Sequence, residues 1–99
     1  MKTHHLKTQA EAFERVLRGV KKCELRKDDR DFEIGDLLVL KEIATVHDTY
    51  TETGRWIRAK VTDIIKDRPY WGLMDGYVIM SIEVETCFVL PNSGGGTVL

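Results

Sequence analysis

The segment from Arg18 to Asp36 most constrains the fold, because it is too charged for a core and too interrupted by apolar residues for a tail. It holds six basic and six acidic side chains, so its net charge is near zero and the two signs are interspersed. The whole chain has a net charge of −1. Any binding to nucleic acid must therefore rely on a local patch of cations and not on bulk charge.

Composition predicts a single globular domain. The chain has 99 residues, of which 42% are apolar and 31% charged, enough for a core without metals or disulfides. Cys23 and Cys87 are far apart and form no C-x-x-C pair, which favours reduced thiols. No leader or apolar membrane span is recognisable. We expect a cytoplasmic protein, a monomer by preference, with a domain over 1–90 and a flexible Gly-rich tail over 91–99.

The first half of the chain predicts a strand, a helix and a second strand. A short strand over 3–7 precedes a capping box that would start the helix at Thr8. An apolar stripe follows at helical spacing, and Gly19 stands where a left-handed cap ends a helix. The stripe consists of Phe13, Val16, Leu17 and Val20. Cys23 and Leu25 then alternate with charged residues, which predicts a half-buried strand with both of them inward and a buried, inert Cys23 thiol.

The second half of the chain predicts further strands. The run 37–43 is apolar on both faces and is predicted to be the central strand, and 44–55 is predicted to be a long hairpin connection with no core pattern of its own. In 56–65, Ile57, Ala59 and Val61 point inward before a bulge near Thr62 or Asp63. A loop over 66–76 leads to a last strand over 77–84, which 87–90 would extend. The pattern predicts an α+β fold, a small mixed β-barrel of five to six strands with an N-terminal helix and a short flanking helix or turn.

The stretch Gly19-Val20-Lys21-Lys22-Cys23-Glu24-Leu25-Arg26 resembles the G-x-K-x-x-E-x-R signature of the ASCH domain superfamily. Several further segments, in their order and spacing, resemble the short ASCH-related proteins of bacteria and phages. They are His5-Leu6-Lys7, Asp29-Arg30-Asp31-Phe32, Gly35-Asp36-Leu37-Leu38, Leu40-Lys41-Glu42 and Gly76-Tyr77-Val78-Ile79. The resemblance implies a PUA-like barrel and a cleft, floored by the signature, that binds RNA or a nucleotide-like ligand.

Some small relatives in that superfamily are amidohydrolases that deacetylate N4-acetylcytidine, with a Lys and a Thr nucleophile in the signature and a Glu elsewhere. Lys21 matches the lysine, but Glu24 stands at the position of the threonine. This departure favours recognition over catalysis, so the chain is expected not to be an enzyme. If it is one, Lys21 would act as base and Glu24 as catalytic carboxylate.

The expected binding residues fall into two groups. In the first, Arg26 and Arg30 would fork onto a phosphate beside Lys21 and Glu24, although such charges also form incidental surface ion pairs. In the second, the rim of the same cleft would hold Lys7 and the loop residues Arg68, Tyr70 and Trp71. Exposed aromatic rings stack on unpaired bases, whereas the alternative is that Trp71 folds back and closes one end of the barrel.

No metal or other cofactor is expected, because His4, His5 and His47 lack the spacing of metal ligands. Three functions stay open at this point. The first is an RNA- or nucleotide-binding module of bacterial or phage type, and the second is a hydrolase of a modified cytidine nucleoside. The third is an accessory domain of a phage or mobile element that contacts a host protein, which would not depend on the signature charges.

Overall fold

The computed structural model describes residues 1–89, which form one five-stranded mixed sheet and one α-helix. In chain order the elements are β1 (Thr3–Gln9), α1 (Ala10–Leu17), β2 (Cys23–Lys27), β3 (Leu37–Val46), β4 (Thr49–Ile65) and β5 (Tyr77–Phe88), with a 3₁₀ turn at Pro69–Trp71 before β5. The strand order is β1-β3-β4-β5-β2, and only β1 and β3 pair in parallel. The predicted α+β class is confirmed, whereas the tail predicted over 91–99 lies outside the described residues.

The two edge strands, β1 and β2, face each other across a gap that side chains bridge. Arg26 Nη2 donates to Thr8 Oγ1 at 3.1 Å, and Arg30 Nη1 donates to the His5 carbonyl at 2.9 Å. Within residues 1–89 no backbone pairing joins β1 to β2. The sheet is therefore curled but open along this gap, which we call the seam, and it does not close into the predicted barrel.

The core lies between the inner face of the curled sheet and α1. The helix contributes Phe13 and Val16, both almost inaccessible to solvent. The sheet contributes a set of nearly inaccessible side chains, comprising Leu6, Leu38, Leu40, Ile57, Ala59, Val61, Val78 and Met80. The inward set predicted for β4 is thus confirmed, and the register shift between Val61 and Asp63 confirms the predicted bulge. The middle strand of the sheet is β4, not the run 37–43 as predicted.

The start of the helix differs from the prediction, whereas its end agrees. Thr8 remains in β1, because the pairing of β1 with β3 continues to Gln9, and the helix begins without a side-chain cap. The capping box predicted at Thr8 is therefore wrong. At the other end Gly19 has φ +78°, which favours glycine, and its amide bonds the Val16 carbonyl at 3.0 Å. Val20 lies beyond the helix and is exposed, so it does not extend the apolar stripe.

The hairpin predicted over 44–55 is present, but its arms are paired strands and not a loop, because the ends of β3 and β4 form a two-stranded ribbon. The ribbon turns at His47 and Asp48, whose φ angles are +50° and +63°. Two consecutive positive φ angles are typical of the type I′ hairpin turn. The ribbon extends past the core and is mostly exposed, which explains why its sequence shows no core pattern. Among residues 1–89, no helix is long and apolar enough to cross a membrane.

Candidate functional site at the seam

The edge strand β2 turns its charged face inward, which is the opposite of the prediction. Glu24 is buried and Arg26 is half-buried, whereas Leu25 is 59% exposed and Cys23 is also exposed. The predicted buried Cys23 thiol is therefore wrong. The charged side chains face inward because β2 borders the open seam, where Lys21 and Thr8 supply partners for them.

The carboxylate of Glu24 holds two cations in fixed positions. Its Oε1 accepts a hydrogen bond from Lys21 Nζ at 3.1 Å, and its Oε2 accepts one from Arg26 Nε at 2.9 Å. The Glu24 side chain is only 4% exposed, and the two cations are 28% and 25% exposed. Lys21 also donates to the Cys23 carbonyl, and Arg26 reaches Thr8 across the seam. We call this arrangement the Glu24 clamp.

The Glu24 clamp lines a groove of about 240 Å³ between the edge strands. Lys7 lies on the β1 wall of this groove, beside the signature residues as predicted, and Leu25 lies on the β2 wall. Arg26 also borders an adjoining cavity of about 150 Å³, and Arg30 lines that second cavity. The structure therefore brings Lys7, Lys21 and Arg26 into one groove and places Arg30 next to it.

The aromatic loop forms a separate surface and not the rim of the Glu24 groove. Tyr70 and Trp71 are 76% and 63% exposed, so Trp71 does not close an end of the sheet. The Arg68 guanidinium lies 5.6 Å from the Trp71 ring centroid, within cation–π distance. Arg68 and Trp71 line a groove of about 450 Å³, which shares Phe32 with the cavity of Arg30. The single predicted cleft is thus a series of three adjoining depressions.

Two buried hydrogen-bonded pairs that support the seam are absent from the prediction. In the first, His4 Nε2 donates to Asp36 Oδ2 at 2.8 Å, and the amides of Lys2 and Glu33 donate to the same carboxylate at 2.9 and 3.0 Å. Burial raises the pKa of Asp36, but these three hydrogen bonds outweigh it and lower the pKa to about 2. The pair fastens β1 to the segment before β3, which carries Arg30.

The second pair fastens α1 to the ribbon. Arg55 donates to both oxygens of Glu42, at 2.8 and 2.9 Å, and to Glu14 on the helix at 3.1 Å, while its guanidinium lies 5.0 Å from the Phe13 ring centroid. The hydrogen bonds from Arg55 lower the pKa of Glu42 against the effect of burial, and the same contacts raise the pKa of Arg55. Because Glu42 stands opposite Thr8 in the β1–β3 pairing, this cluster supports the wall of the groove. The available signal in the sequence is the charged pair Lys41-Glu42 within the otherwise apolar run 37–43.

No group of three or more His, Cys, Asp or Glu side chains in residues 1–89 is placed to hold a metal ion. His4 is engaged by Asp36, and His47 lies in the hairpin turn. Neither ring is near the Glu24 groove.

The fold and the site define a small α+β domain with a cation-lined seam between its edge strands. Residues 3–82 match the family described as Domain of unknown function (DUF3850), and the chain belongs to that family. A relative, the "Uncharacterized 12.9 kDa protein in GpA 3'region" of Escherichia phage P2, is 39% identical over 79 residues. That alignment covers 80% of this chain and 66% of the relative, so the chain spans just under two thirds of the relative's length. The family match includes both edge strands and the Glu24 clamp.

Proposed function

We propose that this protein binds RNA or a nucleotide in the seam, with a phosphate on Lys21 and Arg26. The Glu24 clamp is the observation that carries the proposal. A buried ion pair contributes little net stability, because desolvation of the charges offsets their attraction. The burial of Glu24 is better explained by its effect on Lys21 and Arg26, whose charged groups it fixes beside the groove. A fixed guanidinium and a fixed ammonium together suit the binding of an oxyanion.

The charge balance at the seam supports the same function. Lys7, Lys21, Arg26 and Arg30 surround the groove and its adjoining cavity, against the single buried carboxylate of Glu24 and the exposed one of Asp29. The chain as a whole has a net charge of −1, so this is a local field and not a general one. Within residues 1–89, Arg26 Nη1 donates no hydrogen bond and is available to a ligand.

We also assign roles to the curled sheet and to the surface formed by the aromatic loop. We interpret the curled sheet as an unclosed relative of the PUA-like barrel, with the G-x-K-x-x-E-x-R stretch on its edge strand. The exposed Trp71, with Arg68 beside it, would stack on an unpaired base next to the seam, at about 1–3 kcal/mol per base. Single-stranded RNA is therefore the polymer that these surfaces suit best.

The salt dependence of RNA binding tests the proposal. Affinity for a short single-stranded RNA should fall steeply with salt, and the slope of log K against log salt should shrink by about one on Arg26→Ala. Arg58→Ala is the matched control, because Arg58 lies on the outer face of the middle strand, where it pairs with Glu85 at 3.5 Å. Equal losses in the two variants, or a flat salt dependence, would contradict the proposal.

A second candidate, hydrolysis of an N4-acylated cytidine, is favoured by the contact between Lys21 Nζ and Glu24 Oε1 in the groove. In that mechanism Lys21 in its neutral amine form would accept a proton from the water that attacks the acyl carbonyl, Glu24 would orient that water, and cleavage of the C–N bond would release the carboxylic acid and cytidine. Both Glu24 oxygens already accept from cations, which favours binding over catalysis. Incubation with N4-acetylcytidine followed by mass spectrometry separates the two, since only the hydrolase releases acetate and cytidine.

A further inference from the structure

Building on the proposed function, we propose that the seam reads the edge of one unpaired nucleobase with main-chain groups of Lys7 on β1 and Leu25 on β2. In a strand, the N–H and C=O of one residue point to the same side, and those of the next residue point to the other side. The side that each residue uses therefore follows from hydrogen bonds formed elsewhere in the same strand.

On β1 the main-chain N–H and C=O groups of the odd-numbered residues point toward the seam. The Lys2 carbonyl accepts from the Leu37 amide at 2.8 Å, so residues with even numbers face β3. The His5 carbonyl, in contrast, accepts from Arg30 across the seam. Lys7 has the same parity as His5, and within residues 1–89 its main-chain groups have no partner on that side.

On β2 the main-chain N–H and C=O groups of the odd-numbered residues also point toward the seam. The Lys22 carbonyl accepts from the Ile82 amide at 3.1 Å, and the Asp28 amide donates to the Gly76 carbonyl at 2.8 Å. Residues with even numbers therefore face β5, and Leu25 points its N–H and C=O into the seam. Among the described residues nothing pairs with them. Among the described residues, Lys7 and Leu25 thus each present one free donor and one free acceptor to the seam.

The cross-connections of the seam decide between two occupants. A free strand edge usually accepts an extended peptide as an added strand. Here Arg26 crosses the seam to Thr8, and Arg30 occupies the His5 carbonyl that an added strand would need. Arg26 borders one end of the groove of about 240 Å³, and Arg30 lines the cavity beyond it, so the groove is a short pocket that suits a flat heterocycle and not a continuous strand.

The ligand class follows from the groups around this groove. Every nucleobase presents donors and acceptors side by side on its edge, as the main chain of Lys7 and Leu25 does. Lys21 and Arg26 line the same groove, so the phosphate of that nucleotide would contact these two cations inside the groove. The ligand is therefore a nucleoside monophosphate unit, either free or as an unpaired residue of single-stranded RNA.

Amide hydrogen exchange, measured by NMR on the whole protein, tests the inference without any variant. In the free protein the Lys7 and Leu25 amides should exchange faster than those of Glu24 and Arg26, which are paired with β5. A mixture of the four nucleoside monophosphates should slow exchange at Lys7 and Leu25 by about tenfold, whereas ribose 5-phosphate, which lacks the base, should not. Slowing by a short single-stranded RNA alone would support the inference and assign the base to a polymer.

A pair of variants isolates the main-chain donor. Leu25→Pro removes the N–H that faces the seam and no ladder bond, a position where edge strands tolerate proline, whereas Leu25→Ala removes only the exposed side chain. The proline variant should bind nucleoside monophosphates about tenfold more weakly and ribose 5-phosphate equally well. The alanine variant keeps the N–H, so the ratio of nucleoside monophosphate affinity to ribose 5-phosphate affinity should be about tenfold lower in the proline variant than in the alanine variant.

The outcomes separate this inference from the function on which it rests. If no nucleotide or RNA binds, the proposed function falls and the inference with it. If nucleotides bind while the Lys7 and Leu25 amides exchange unchanged, or if the two Leu25 variants bind alike, only the inference is overturned. Protection of both amides by an extended peptide and not by nucleotides would likewise overturn it. Should Leu25→Pro fail to fold, the exchange measurement on the wild type still decides.

Discussion

Replacing Asp36 with asparagine should remove a specific, pH-dependent part of the stability of the fold. The side chain is 1% exposed and accepts three hydrogen bonds, from His4 and from the amides of Lys2 and Glu33. Its pKa falls from the ordinary 3.8 to about 2. At about 1.4 kcal/mol per pKa unit, the ionised carboxylate stabilises the fold by about 2 kcal/mol at neutral pH.

The sign of the pH dependence follows from the lowered pKa. Because the folded state binds its proton less readily than the unfolded state, the contribution is fully present above about pH 4 and is lost as the pH falls through about 2. Asp36→Asn keeps the shape but not the charge. The difference in unfolding free energy between wild type and variant should therefore be about 2 kcal/mol at pH 7 and should shrink toward zero near pH 2.

Urea unfolding at a series of pH values measures this difference directly. All other carboxyl groups titrate in both proteins, so subtracting the two curves isolates Asp36. Asp63→Asn, at an exposed position in β4, is the matched control and should show no such trend. A difference that stays constant from pH 7 to pH 2 would refute the reasoning, because it would mean that Asp36 acts through packing and not through its charge.

Two further predictions concern β2. Glu24→Gln should weaken binding of nucleoside monophosphates by about tenfold in calorimetry, because Lys21 and Arg26 lose their fixed positions. If the clamp were only a source of unwanted negative charge, the same variant would bind more tightly, so the sign decides. Cys23 should react with a maleimide faster than Cys87 by roughly a factor of ten, since it is exposed and Cys87 is only partly so. Equal rates would contradict the strand phase described above.

The elements that the sequence predicts correctly are those whose pattern has one interpretation. Ile57, Ala59 and Val61 alternate with polar residues in the middle strand, and a period of two can only place them together on one face. Gly19 marks the end of the helix because its positive φ angle is a local property. The hairpin over 44–55 is predicted, but the position of its turn at His47 and Asp48 is not, since neither residue belongs to the common Asn-Gly pattern.

The remaining features depend on contacts between distant parts of the chain. Thr8 opens a sequence that fits a capping box, yet its strand continues because β3 is available as a parallel partner. His4 and Asp36 are 32 residues apart and leave no local signal. The proximity of Lys21, Glu24 and Arg26 follows from the sequence because they lie within six residues of each other on one segment. Arg68 and Trp71 line a different groove from the one predicted, because the path of their loop is set by tertiary structure.

The phase of β2, meaning which of its alternate side chains point inward, bears most directly on function. A shift of one residue would bury Leu25, which is worth about 2 kcal/mol, and would return Glu24 and Arg26 to water. In the observed phase Leu25 is not buried, and the fold also bears the cost of desolvating the Glu24 carboxylate. Its ion pairs with partly exposed cations contribute only about 0–1 kcal/mol each. The fold therefore gains no stability from pointing these charges inward. A strand that keeps this phase is explained by what the phase places in the groove, namely two fixed cations and the free main-chain edge of Leu25.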